Sequence, residues 1–214
     1  MDSHNKTSEF FDAYAGDFNA IYGTRNTLIN RCVNSLFRRS MKLRYERVLS
    51  GADPVEGRSV LDIGCGPGHY SVALAKRGAA SVVGVDFAPS MIELATQLAQ
   101  QTGVADRCQF EQKDFMAFSS EQKSDYTVVI GFMDYMADPR AVIDKVLSLT
   151  TSKAFFSFPV AGGILGWQRK LRYRSRCELY LYTRSRLDEL FEQAPCSRYE
   201  IEQIERDFFV TAYA

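Results

Sequence analysis

Residues 59–68 read Ser59-Val60-Leu61-Asp62-Ile63-Gly64-Cys65-Gly66-Pro67-Gly68. An apolar run ends beside an acid and opens into glycines at alternate positions. A helical pattern follows from about His69 to Arg77, and a second apolar run, Ser81 to Val85, leads to another acid, Asp86. Strand, glycine loop, helix, strand and acid in this order make half of a doubly wound nucleotide-binding fold. Glycine is needed where a Cβ would block close approach to the turn or forbid the turn itself. A carboxylate at the end of the second strand suits a ribose diol, because it accepts from both hydroxyls.

The loop departs from the dinucleotide fingerprint, which spaces its glycines G-x-G-x-x-G. Here the spacing is G-x-G-x-G, and Asp62 stands just before it. A carboxylate at that place would repel a pyrophosphate. The run VLDIGCGPG resembles the first motif of the class I S-adenosylmethionine (SAM)-dependent methyltransferases. The resemblance covers roughly residues 55–214 and, more loosely, the N-terminal helices. It implies a mostly parallel, doubly wound seven-stranded α/β sheet with a C-terminal antiparallel hairpin and N-terminal lid helices.

The order of elements follows from hydrophobic periodicity. An amphipathic helix with an aromatic face is expected over 7–22. A longer helix is expected over 26–49, with Arg31, Arg38, Arg39, Lys42, Arg44 and Arg47 on its polar side. Strands are expected at 59–63, 81–85, 108–112, 126–130 and 154–158. Helices are expected at about 69–77, 89–101 and 139–148. After an irregular segment over 159–177 come a short strand at 178–182, a helix at 184–192 and strands at 200–204 and 207–211. One domain over 1–214 accommodates this pattern: an N-terminal helical lid over 1–50, a cofactor-binding core over 55–158, a substrate-lid insertion over 159–182, and a C-terminal helix and hairpin over 183–214.

Composition restricts the function classes. The 214 residues are 46% hydrophobic and 24% charged, as expected of one globular domain with a sizeable core. Lys+Arg and Asp+Glu both number 26. Zero net charge argues against general nucleic-acid binding. No apolar run has the length of a membrane span, and the N-terminus lacks the regions of a signal peptide. Five cysteines without a C-x-x-C pair read as free thiols in a reducing cytoplasm, with Cys65 as a small packing residue. No convincing metal cluster stands out.

The resemblance implies roles for particular residues. Gly64, Gly66 and Gly68 would lie against the methionine and ribose portion of SAM, and Asp62 would steer its ammonium. Asp86 would take the ribose hydroxyls and Phe87 would lie against adenine. Asp114 would accept from the adenine amino group and Phe115 would offer its backbone N–H to the ring; alternatively, Asp114 caps a helix. Gly131 and Phe132 stand where the family lines the methionine end. The Phe10-Phe11-Asp12-Ala13-Tyr14-Ala15 run resembles the FDxYA opening of many small-molecule methyltransferases, whose helix lids the cofactor, with Tyr14 reaching toward it.

The methyl acceptor is less constrained. Asp134 or Tyr135, after the fourth strand, could take a proton from an acceptor hydroxyl or amine, or Asp134 could cap the next helix. His69 reads as a helix-start residue more readily than as a base. Arg169, Lys170, Arg172, Arg174 and Arg176 put five cations within eight residues. They suit a lid gripping an anionic acceptor, a solvated face, or a site for RNA or an acidic partner. Tyr180 alternates with Glu178 and Tyr182 and could line the pocket. The residues after the fourth strand lack the [ND]-P-P-[YF] and Pro-Cys signatures of nucleic-acid methyltransferases. The expectation is a metal-independent, SAM-dependent transfer of methyl to oxygen or nitrogen of a small, anionic metabolite, releasing S-adenosylhomocysteine (SAH). Quinone-precursor, porphyrin-carboxyl and natural-product methyltransferases share this plan. The rival readings are an RNA or protein methyltransferase using the basic segments, and a non-catalytic SAM-binding subunit.

Overall fold

The computed structural model describes residues 28–162 and 179–214, with side chains described from Arg39 onward. Seven strands form one sheet: β1 (Ser59–Ile63), β2 (Ser81–Asp86), β3 (Cys108–Gln112), β4 (Ser124–Val129), β5 (Thr150–Pro159), β6 (Arg198–Ile204) and β7 (Asp207–Tyr213). Their order is β3-β2-β1-β4-β5-β7-β6. The first five are parallel, and β7 runs antiparallel between β5 and β6. This is the mostly parallel sheet with a C-terminal antiparallel hairpin that the resemblance implies. Strand order reverses between β1 and β4, which opens a crevice at the carboxyl ends of the strands.

Strands β1, β4, β5 and β7 send alternate side chains to opposite faces and are buried on both, because helices cover both sides of the sheet. Val60, Val128, Phe155 and Phe209 pack under α1 (Leu28–Gly51), α2 (His69–Lys76) and α3 (Pro89–Gln101). Their neighbours Leu61, Val129, Phe156 and Val210 pack under α4 (Pro139–Ser148) and α5 (Arg184–Glu192). The second face is strongly aromatic, with Phe158 edge-on to both Tyr182 and Phe191. Pro89 and Pro139 each open a helix, where a missing N–H costs little.

Three expectations change. The short strand expected over 178–182 is not formed by the described residues 179–182, which make only a single bridge from Tyr182 to Val160. Burial there does not alternate: Leu179 and Tyr182 are buried and the two residues between them are half-buried. Strands β5, β6 and β7 are longer than expected: β7 pairs with both neighbours from Asp207 to Tyr213, and β5 also pairs with β4 from Thr150. Arg44, expected on the polar side of its helix, is buried. Its guanidinium lies 3.7 Å from Asp207, itself buried at the start of β7. Ser40, one turn earlier, also donates to Asp207.

Two other described cations of α1 also face the acidic hairpin, whereas Lys42 pairs with Glu46 on its own helix at 3.7 Å. Arg39 pairs with Glu205 at 3.0 Å, and Arg47 donates twice to Glu202 at 2.8 and 2.6 Å. The contrast in burial predicts a contrast in energy. Asp207→Ala should cost about 3–5 kcal/mol in urea unfolding, because it strands a buried guanidinium. Arg47→Ala should cost less than about 1 kcal/mol, because its pair is exposed and screened.

Candidate functional site

The glycine loop is built against the end of β2. Gly64 and Cys65 both donate their backbone N–H to the Val85 carbonyl, at 2.8 and 3.1 Å. Gly66 donates to the Asp86 carboxylate at 2.9 Å, and Ala88 donates to the other oxygen of that carboxylate at 3.0 Å. Asp86 is buried, so its charge is held by these oriented N–H groups. The acid at the end of β2 thus fixes the loop as well as standing at the crevice.

The three glycines have different tasks. A Cβ on Gly64 would lie 2.7 Å from the Phe132 ring, so this glycine makes room for an aromatic side chain. A Cβ on Gly68 would lie 2.9 Å from that of Ala95, so this glycine lets α2 approach α3. Gly66 alone of the three has no heavy atom of the described residues within 4 Å of the Cβ direction, and its φ of +52° disfavours other residues. Its missing side chain leaves that direction open among the described residues.

Asp62 lies beneath the loop on β1. Its carboxylate accepts from the Ser71 backbone N–H at 3.1 Å and from the Ser71 hydroxyl at 2.6 Å. Burial pushes its pKa up to about 6, against the opposing effect of both Ser71 bonds. Ser71 was not singled out from sequence. Its signal is a hydroxyl on the inner side of a helix that begins directly after the glycines. Burial also pushes the Cys65 thiol far above its usual range, in keeping with a packing role.

Asp114 follows β3, beside Asp86 on β2; the two strand ends are joined by the Lys113 N–H to the Asp86 carbonyl at 2.8 Å. Asp114 caps the short 3-10 turn Phe115–Ala117, accepting from Met116 at 2.9 Å. The cap reading of this acid therefore holds, and its exposed carboxylate stands at the crevice as well. Phe115 is buried and meets Phe132 edge-on at 6.0 Å. Phe87 is half-buried, directly after Asp86. Gly131 and Phe132 continue β4, and the Gly131 N–H donates to the Ser157 hydroxyl at 2.8 Å.

Asp134 and Tyr135 form the 3-10 turn Met133–Tyr135 after β4. Asp134 does not cap the next helix; Asp138 does, accepting from Ala141 at 3.1 Å. The turn is tied to the segment before α5. The Tyr180 N–H donates to the Asp134 carbonyl at 2.8 Å, and the Tyr182 hydroxyl donates to the Met133 carbonyl at 3.2 Å. Asp134, Tyr135 and Tyr180 are thus brought together, whereas Tyr182 is core. His69 opens α2, as expected of a helix-start residue. Tyr14, Arg169, Lys170, Arg172, Arg174 and Arg176 lie outside the described residues. Among the described residues no group of three His, Cys, Asp or Glu side chains could hold a metal ion. None of the described helices is long and apolar enough to cross a membrane.

Residues 54–160 match the family model of the methyltransferase domain. The chain belongs to this family, in the seven-stranded class I form. Among its relatives is the ribosomal protein L11 methyltransferase of Enterobacter sp. (strain 638). It is 33% identical over 138 residues, which cover 62% of this chain and 41% of that protein. The chain thus matches only about two fifths of the length of such curated relatives. Solved structures share the fold. Magnesium protoporphyrin IX methyltransferase from Synechocystis PCC 6803, with bound SAH, superposes with a TM-score of 0.76 at 19% identity, over 99% of both chains. DhpI in complex with SAH gives 0.67 at 16% identity, over 97% of this chain and 95% of that one.

The raised Asp62 pKa has a measurable sign. An acid whose folded pKa exceeds its ordinary value costs stability as pH rises through that interval. Asp62→Asn removes this titration. Relative to wild type, the variant should gain up to about 3 kcal/mol between pH 4 and pH 7, read by urea unfolding at the two values.

Proposed function

We propose that the protein is a SAM-dependent methyltransferase that transfers a methyl group to oxygen or nitrogen of a small metabolite by in-line displacement. The observation that carries this reading is Gly66. Its N–H is fixed by Asp86 at 2.9 Å, and the space beside it is open where a Cβ would point. Gly131, across the crevice, has the same open space. Two glycines without neighbours, bordered by Asp62, Asp86 and Asp114, suit a ligand with an ammonium, a ribose diol and an adenine amino group.

SAM, when bound, supplies a methyl carbon already activated by its sulfonium. This chain's residues bind and orient. Ionised Asp62 attracts the ammonium. Asp86 retains lone pairs for the ribose hydroxyls after accepting from Gly66 and Ala88. Asp114 and the Phe115 N–H would read the adenine edge, and Phe87 would pack against the ring. Tyr14 and the N-terminal aromatic segment would exclude water. Asp134 or Tyr135 receives the acceptor's proton, with Tyr180 beside them. Arg169, Arg172 and Arg174 hold an anionic group of the acceptor.

A small acceptor is favoured by the full-length likeness to a magnesium protoporphyrin IX methyltransferase, where 99% of both chains superpose. A protein acceptor is the second reading, favoured by the 33% identity to a ribosomal protein L11 methyltransferase. Incubation with methyl-labelled SAM and a cell extract decides between them. Label in the small-molecule fraction supports the first reading, label in protein supports the second, and none in either defeats the enzyme.

Two variants test the cofactor site by calorimetry with SAH. Gly66→Val should abolish binding, since its side chain fills the ligand's space and strains the backbone; wild-type affinity would remove the cofactor reading. Asp86→Ala should weaken binding by about 1–3 kcal/mol or more, from the lost acceptor and the loosened loop.

A further inference from the structure

A polar chain of residues runs through the otherwise apolar layer between α1 and the sheet. Ser40, Arg44, Ser157 and Asp207 come from α1, β5 and β7, and each is at most 8% exposed. The directions of donation are consistent. Ser40 donates to Asp207, and the Arg44 guanidinium lies 3.7 Å from the same carboxylate oxygen. Arg44 also donates to the Ser157 hydroxyl oxygen at 3.4 Å, and the Gly131 N–H donates to that oxygen at 2.8 Å.

A guanidinium can only donate. Arg44 therefore holds the Ser157 oxygen as an acceptor, and its two lone pairs face Arg44 and Gly131. Asp207 neutralises the cation, without which burial would be costly. The Gly131 peptide plane is set by this oxygen, and the plane sets two things at the crevice. One is the open space beside Gly131, where no heavy atom of the described residues lies within 4 Å of the Cβ direction. The other is Phe132, whose ring closes on Gly64.

We infer that Ser157, held by the buried Arg44–Asp207 pair, is the positioning residue that fixes the Gly131 peptide at the methionine half of the cofactor site, so that docking of α1 on the C-terminal hairpin is coupled to that half of the site. The inference rests on the cofactor reading above. It separates two halves of one ligand. Asp86 and Asp114 serve adenosine, and Gly131 serves the part that adenosine lacks.

Calorimetry with SAH and with adenosine tests it on the full chain. The variants are Ser157→Ala and the equal-shaped pair Ser157→Thr and Ser157→Val, each checked for folding by circular dichroism. Ser157→Ala should weaken SAH roughly tenfold, the scale of one net hydrogen bond, and leave adenosine nearly unchanged. Ser157→Thr keeps the hydroxyl, so it should bind SAH better than Ser157→Val by a similar factor, whatever steric cost the two share. Equal losses for SAH and adenosine, or equal SAH affinity in the Thr and Val variants, would reduce Ser157 to a packing residue. Wild-type protein that binds SAH while Ser157→Ala binds it equally well overturns the positioning role alone. Wild-type protein that binds neither ligand overturns the cofactor reading and this inference with it.

Discussion

The Asp86 carboxylate holds the candidate site together. It closes β2, accepts from Gly66 on one oxygen and from Ala88 on the other, and thereby joins the glycine loop to the start of α3. A charged group in so buried a place is tolerated because oriented N–H groups replace water around it. The same arrangement leaves Gly66 facing open space, with a second acid on the strand end beside it. Loop shape and the proposed recognition of the ribose therefore rest on one group.

Much of this was legible in the sequence, for identifiable reasons. The strand-loop-helix-strand order followed from apolar periodicity and from glycine spacing, both local properties. Asp86 was legible because it ends an apolar run, and the roles of Asp62 and Asp114 came with the family resemblance. The individual tasks of Gly64 and Gly68 were not legible, since they depend on Phe132 and Ala95, which sequence alone does not place opposite them. Asp138 took the helix cap that Asp134 was weighed for, because a 3-10 turn intervenes before α4.

Arg44 and Ser157 escaped for a related reason. On α1, Ser40, Arg44 and Val48 recur every four residues, so two polar side chains share the stripe of a buried valine. By residue type Arg44 groups with its basic neighbours, although its period is that of buried Val48. Ser157 stands alone among phenylalanines in β5, a position that packing by itself would fill with another apolar residue. Each was a mismatch between residue type and period. Such mismatches are where function or a buried partner overrides patterning.

The bond from Ser40 to Asp207 joins residues 167 positions apart. Helix α1 precedes every strand of the sheet in sequence, yet the carboxylate that neutralises its buried arginine lies on β7, the seventh strand. Until that strand forms, Arg44 has to stay in water, and the helix cannot seat over β5. Contacts of such long sequence separation form late, because loop closure precedes any gain from them. A nascent chain can thus complete the glycine loop and the first four strands while the wall beside Gly131 is still unformed. Strand β7, and not the glycine loop, decides when the crevice acquires its final shape.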